Sequence, residues 1–262
     1  MRFLQRNLIA TLITIEPWLK APFVFDVDDA IFLGPRGANA NRIARASSLI
    51  ICGNDFLADH FSQYGAVTVL PTAVDSARYV PSKKIVDGPR IIGWSGSSSG
   101  LKYIYKIERV ISKLMQKFPD VLLKVVCDRP PEFKVLPMEK VIYERWCAEK
   151  EVSVLQGFSV GIMPLEDDLW AKGKCSFKML TYMAVGIPVV VSPVGMNSSI
   201  LSEADCGFGP KSDDDWLDAI SCLLENRGMA GAMGAAGRSL IELRYAKNIL
   251  GPQLANILES QI

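Results

Sequence analysis

The sequence predicts an α/β protein built from two mostly parallel sheets, and three observations carry that expectation. Short apolar runs of β-branched and aromatic residues alternate with segments of helical periodicity, the order of βαβ units. One run, Ser48-Leu-Ile-Ile-Cys52, is almost wholly apolar rather than alternating, as befits a parallel strand covered on both faces. The alternation halts over Pro71–Pro89, a charged stretch with prolines at 71, 81 and 89, and then restarts, which marks a linker.

Taken in order, Phe23-Val-Phe-Asp26 is a run of β-formers after a proline, and Asn39–Ser47 reads as a helix. After the strand at 48–52, Asn54 or Asp55 is placed to cap a helix over Phe56–Tyr64, and Val67–Leu70 is the next strand. Beyond the linker, Arg90–Trp94 is a strand and Leu101–Phe118 a helix, with apolar residues at 104, 107, 111, 114 and 118. Strands at Val121–Val126 and Val141–Tyr143, a helix at Glu149–Gln156 and a strand at Val160–Pro164 follow. Phe177–Val185 is a helix stopped by Gly186 and Pro188, and Val189–Ser192 is a strand. Ser212 with Asp213, Asp214 and Asp215 forms a capping box for a helix to Leu224; Arg238–Tyr245 and Ile249–Ile262 close the chain as helices.

Composition narrows the function. Hydrophobic residues make up 49% and charged residues 22%, values of a folded protein. The 29 Lys+Arg against 28 Asp+Glu leave a net charge of +1, which argues against a dedicated nucleic-acid binder, since that needs a surplus of cations. The single histidine, His60, removes mechanisms that need two, and its place on a helix face reads as structural. Cysteines 52, 127, 147, 175, 206 and 222 form no CxxC pair and are expected to be reduced, mostly buried thiols of a cytosolic protein. The apolar stretch Leu8–Ile15 is far shorter than the roughly 18–20 residues that span a bilayer, and it lacks a cleavage site. A cytoplasmic protein is expected, with peripheral contact at the inner face of a membrane left open.

Ligands of parallel sheets bind beyond the carboxyl ends of the strands. Three segments there carry chemistry. In Phe25-Asp-Val-Asp-Asp-Ala-Ile-Phe32, three carboxylates leave a strand end together. They suit a Mg²⁺ ion or a nucleophile with its acid, or simply cap backbone amides. The segment resembles the DxDx signature of haloacid-dehalogenase-type phosphatases, with Asp26 as nucleophile and Asp28 as acid/base, but the later GDxxxD-like acidic pair of that family is missing. In Trp94-Ser-Gly-Ser-Ser-Ser-Gly100, glycines, hydroxyls and a helix start suit a phosphate, although an ordinary βα turn reads the same way. The third and most specific segment is MPLEDDLWAKGKCSFKMLTYMAVGIPVVVSPVG, residues 163–195. Carboxylates (Glu166, Asp167, Asp168) beside lysines (172, 174, 178) at a helix start suit a ligand with sugar hydroxyls at one end and phosphates at the other. The plain alternative is a solvated loop with surface ion pairs.

This third segment resembles the donor-binding region of GT-B glycosyltransferases of the family-4 kind, in the subgroup that reads PL-D-W-GKC-K-YMA-G-PVV-SPVG. VFDVDDAIF, ASSLIICGNDFLADHF, VTVLPTAVDSARYVP and IIGWSGSSS agree in order, so the resemblance covers nearly the whole chain. It implies a GT-B-like fold of two Rossmann-like domains. Residues 1–83 would be a partial, acceptor-side N-terminal domain, 84–246 a nucleotide-sugar-binding domain, and 247–262 a helix returning to the first. The N-terminal half would lack its first βαβα units, which implies a truncated chain, one completed by a partner chain, or a degraded copy.

The implied reaction transfers a sugar from a nucleotide-sugar donor to a hydroxyl of a glycan or lipid-linked acceptor, with retention, in glycan or polysaccharide biosynthesis. The implied donor site comprises Ser95, Gly96, Ser97 and Ser98 near the diphosphate, with Asp167, Asp168, Lys174, Cys175, Ser176, Phe177, Lys178 and Thr181. Asp28, Lys174 and Lys178 are the catalytic candidates, and no metal or other cofactor is expected. The family's Glu-x7-Glu motif would fall across Gly173 to Thr181, and neither end is Glu here. Thr181 stands where a ribose-binding carboxylate is expected. Two other classes stay open: a non-catalytic donor-binding module, and the phosphatase.

Overall fold

The computed structural model describes residues 2–5 (backbone alone), 22–35, 37–82 and 88–261. The apolar stretch Leu8–Ile15 and linker residues 83–87 lie outside these. Residues up to Ala73 carry β1 (Arg2–Gln5), β2 (Phe23–Val27), α1 (Gly37–Ala46), β3 (Leu49–Cys52), α2 (Asp55–Phe61) and β4 (Val67–Val69). Val74–Glu166 carries β5 (Arg90–Ser95), α3 (Leu101–Lys106), α4 (Glu108–Lys117), β6 (Val121–Cys127), β7 (Val141–Arg145), α5 (Glu151–Leu155) and β8 (Val160–Met163). Then come α6 (Leu169–Lys172), α7 (Phe177–Ala184), β9 (Val189–Val191), α8 (Met196–Glu203), β10 (Gly207–Phe208), α9 (Asp213–Glu225), α10 (Arg227–Leu240) and α11 (Lys247–Glu259). The chain divides into two units. The first comprises Met1–Ala73, Asp167–Ser176 and Tyr245–Ile262; the second comprises Val74–Glu166 and Phe177–Arg244.

In the first unit β1, β2, β3 and β4 form a parallel sheet in chain order. The wholly buried β3 is the strand whose sequence lacks alternation. Val24, Leu49 and Ile51 pack against Leu254, Ile257 and Leu258 of α11, so the terminal helix covers one face of this sheet. Phe25 meets Phe61 edge-on, and His60 stacks on Phe32 at 3.5 Å while its Nε2 bonds Asn41 Oδ1. Burial holds the His60 imidazole below its ordinary pKa.

The second unit has six parallel strands in the order β10-β9-β8-β5-β6-β7. The chain starts in the middle at β5, runs outward through β6 and β7, then returns to β8 and runs outward the other way. Neighbouring strands β5 and β8 therefore send their connections to opposite sides, the place where open parallel sheets take their ligands, beyond the carboxyl ends at Ser95 and Met163. Ile92, Trp94, Ile104, Ile111, Leu114, Val121, Leu123 and Trp216 are among the core side chains of this unit.

Several elements differ from expectation. The helix expected over 101–118 breaks at Ile107, and no proline or glycine causes it. The buried Glu108 carboxylate instead accepts the N–H groups of Val135 and Leu136, a tertiary demand that fixes where α4 begins. The last turn of the chain segment expected at 238–245 is a wide π-type turn over Ile241–Tyr245, after an α10 that starts eleven residues earlier than expected. Part of the expected linker is ordered by the second unit: Arg238 donates to Ser76 O, Tyr79 O and Ala184 O. Among the described residues no helix is long and apolar enough to cross a membrane.

Candidate functional site

The expected site residues fall in both units. Ser95, Gly96, Ser97, Ser98, Phe177, Lys178 and Thr181 belong to the second; Asp28, Asp167, Asp168, Lys174, Cys175 and Ser176 belong to the first.

In the second unit, Ser95–Gly100 leaves the carboxyl end of β5, where the strand order turns from β5 to β8. The loop was expected to offer amides to a phosphate, but most of its donors have internal partners. Ser95 N–H donates to Tyr182 Oη at 2.8 Å and Gly96 N–H to Val126 O at 2.9 Å. Ser98 gives both its N–H (2.6 Å) and its hydroxyl (2.9 Å) to the carboxylate of Asp128, and the Ser97 and Ser99 hydroxyls pair with each other. These bonds hold the Asp128 carboxyl below the usual carboxylate range. Asp128, at the end of β6, is a site-adjacent residue that sequence reasoning missed, because nothing in its own neighbourhood couples it to a loop 30 positions earlier.

The cation beside this loop is Lys178, on the first turn of α7. Its Nζ lies 5.7 Å from the centre of the Trp94 ring, a cation–π contact. A Cβ on Gly96 would stand 2.5 Å from Lys178 Cε and 2.8 Å from Trp94 Cζ2, so only glycine lets the lysine stem lie across the loop. Phe177 is exposed at the start of the same helix. Ser176, just before it, is buried with φ +56°, the one non-glycine residue in the left-handed region among those described, and such strain tends to collect at functional sites. Thr181 is 4% exposed and its hydroxyl donates to Lys178 O at 2.8 Å, back along its own helix. That hydroxyl proton is therefore not offered to a ribose.

In the first unit, Lys174 Nζ stands 3.5 Å from Asp29 Oδ1 and over the Trp170 ring. Asp168 caps α6 by accepting Ala171 N–H at 2.6 Å, and Asp167 pairs with Lys172 at 3.1 Å in an exposed ion pair. Both carboxylates thus have ordinary structural partners, as the plain reading of a solvated loop expects. Asp28 is exposed; its backbone carbonyl accepts from Cys175 Sγ at 3.1 Å. Burial, then the charges of Asp28 and Asp29, pushes the Cys175 thiol up to about 12, so it is a packed thiol and not a nucleophile.

Asp26, the first carboxylate of the three, lies within β2. Burial, and then the charge of Asp28, pushes it up to about 6 from an ordinary 3.8. Between those values the folded chain binds this proton more tightly than the unfolded chain, so stability falls as pH rises from about 4 to 6 and stays lowered above. Asp26→Asn is therefore expected to raise the melting temperature at pH 7 and to flatten its fall across that window. Scanning calorimetry of both proteins from pH 4 to 7.5 checks this; parallel curves would contradict it. Among the described residues no three His, Cys, Asp or Glu side chains group to hold a metal ion, and Asp26, Asp28 and Asp29 are no exception.

No curated protein matches the sequence. Among solved structures, HepE of Anabaena, crystallised with UDP and glucose, superposes with a TM-score of 0.70 at 17% identity, over 91% of this chain and 72% of that one. Sucrose-phosphate synthase of Thermosynechococcus elongatus gives 0.67 at 13% identity, over 91% and 67%. TarM of S. aureus, in a mutant form, gives 0.68 at 15%, over 90% and 50%. At such identities the likeness carries the fold alone, which is GT-B. Residues 90–226, just over half of the 262, match the family described as Glycosyl transferases group 1. With a family match of that extent on a GT-B fold, the chain belongs to the group 1 glycosyltransferases.

Proposed function

We propose that the chain moves a sugar from a nucleotide-diphosphate-sugar to a hydroxyl of a glycan or lipid-linked acceptor, with retention of anomeric configuration, in glycan or polysaccharide assembly. The observation that carries this reading is Lys178 lying across Gly96 and Trp94 at the carboxyl end of β5, where the strand order turns from β5 to β8. A group 1 glycosyltransferase must stabilise the negative charge that gathers on the departing diphosphate, and an ammonium held at a strand end suits that task. HepE, whose structures hold UDP and UDP-glucose, makes a UDP-sugar the first donor to try.

Lys174, four residues earlier in the chain, is proposed as a second donor cation, and Asp28 as a carboxylate facing the sugar. The loop at 95–98 is proposed to meet the diphosphate through Lys178 and the Ser97 backbone more than through the amides of 95, 96 and 98, which have internal partners. Positive charge is assigned to lysines and not to a metal ion. The domain assignment expected above, donor binding by 84–246 and acceptor binding by 1–83, is kept as part of this proposal. All six cysteines are unpaired, which fits the reducing cytoplasm as the place of reaction.

The test is donor affinity by titration calorimetry. Lys174→Ala is expected to weaken a UDP-sugar about tenfold, the scale of one charge-assisted hydrogen bond. Cys175→Ser, which keeps a donor to Asp28 O, is expected to leave affinity unchanged. Equal affinity of Lys174→Ala and the parent protein would remove Lys174 from the site.

A further inference from the structure

One buried polar side chain of the first unit does more than its sequence position announces. Asn54, 9% exposed, serves two helices with one amide. Its Oδ1 accepts Leu57 N–H at 3.0 Å and so caps α2. Its Nδ2 donates to Lys172 O at 3.3 Å and to Lys174 O at 3.2 Å, carbonyls at and just past the end of α6, where helical partners run out. The bonds join segments 118 and 120 positions apart. The backbone beside it is shaped for the same approach: a Cβ on Gly53 would stand 2.2 Å from Cys175 Sγ.

The residue type is specific. Serine or aspartate caps a helix as well as asparagine does. Only an amide also supplies two N–H donors. Serine at 54 keeps the cap and loses the clasp; aspartate keeps the cap and turns a carboxylate toward two carbonyl oxygens.

We propose that Asn54 is a positioning residue for glycosyl transfer: it clasps the backbone at Lys172 and Lys174 and so fixes where Lys174 presents its ammonium. The proposal rests on the reading of Lys174 as a donor cation.

The experiment compares Asn54→Ser, Asn54→Asp, Lys174→Ala and the double variant Asn54→Ser/Lys174→Ala in the full chain. The readouts are melting temperature, amide exchange at 172–176, and kcat and KM for a UDP-sugar. Asn54→Ser is expected to melt within a few degrees of the parent, to exchange faster at 172–176, and to raise donor KM about tenfold with little change in kcat. Asn54→Asp is expected to raise it further. In the Lys174→Ala background the serine change is expected to alter KM less than about twofold, because the residue through which it acts is gone. Unchanged exchange at 172–176 in Asn54→Ser overturns the clasp. Unchanged KM in Asn54→Ser, or full additivity with Lys174→Ala, overturns its positioning role while the donor-cation reading stands. Unchanged KM in Lys174→Ala overturns both.

Discussion

Lys178→Ala is expected to weaken binding of a nucleotide-diphosphate-sugar by between about tenfold and a hundredfold. A hydrogen bond to a charged group is worth about 1.5–3 kcal/mol, and 1.4 kcal/mol is a factor of ten. The loss is placed toward the upper end because Lys178 is pre-arranged: its stem lies across Gly96 and its ammonium over the Trp94 ring. Alanine is the best helix former and Lys178 sits on the first turn of α7, so the fold is expected to survive the change. Titration calorimetry on the two proteins, with melting curves to confirm folding, checks it. Transfer rate is expected to fall at least as far as affinity, since charge on the diphosphate is greatest in the transition state.

Gly96→Ala is the second large effect, and it reaches both stability and binding. The added methyl would meet Trp94 Cζ2 at 2.8 Å and Cη2 at 2.9 Å as well as Lys178 Cε at 2.5 Å. A lysine end can swing away, but Trp94 is 2% exposed and walled in by the core of the second unit. Overpacking of this kind costs about 1–3 kcal/mol, which in a protein of this size lowers the melting temperature by several degrees. Donor affinity is expected to drop with it, because the lysine can no longer lie across the loop. A melting point and a donor affinity both equal to the parent's would show that the loop has slack that the packed indole does not suggest.

Much of this was legible in the sequence, for local reasons. The apolar run at 48–52 gave β3, the capping box at Ser212 formed with Asp215 as its reciprocal partner, and the glycine and proline after Ala184 ended α7. The elements that escaped were those decided by distant residues. The break at Ile107 answers to amides at 135 and 136. α10 carries glycines at 228, 231, 234 and 237, which lower its helix propensity enough to hide its first eleven residues from periodicity. In the candidate site, the glycine-serine loop was recognised but the destination of its amides was not, since Tyr182 and Asp128 lie 87 and 30 positions away. Asn54 was visible only as a helix cap; its second set of partners comes from the far side of the sequence.

The most direct test is calorimetric titration of the parent protein with UDP-, GDP-, ADP- and TDP-sugars in metal-free buffer, repeated with Lys178→Ala. Selective binding of one nucleotide-sugar by the parent, weakened at least about tenfold by the substitution, is the expected result. Binding that is absent for all four, or equally tight in both proteins, would contradict the placing of the donor diphosphate at Lys178.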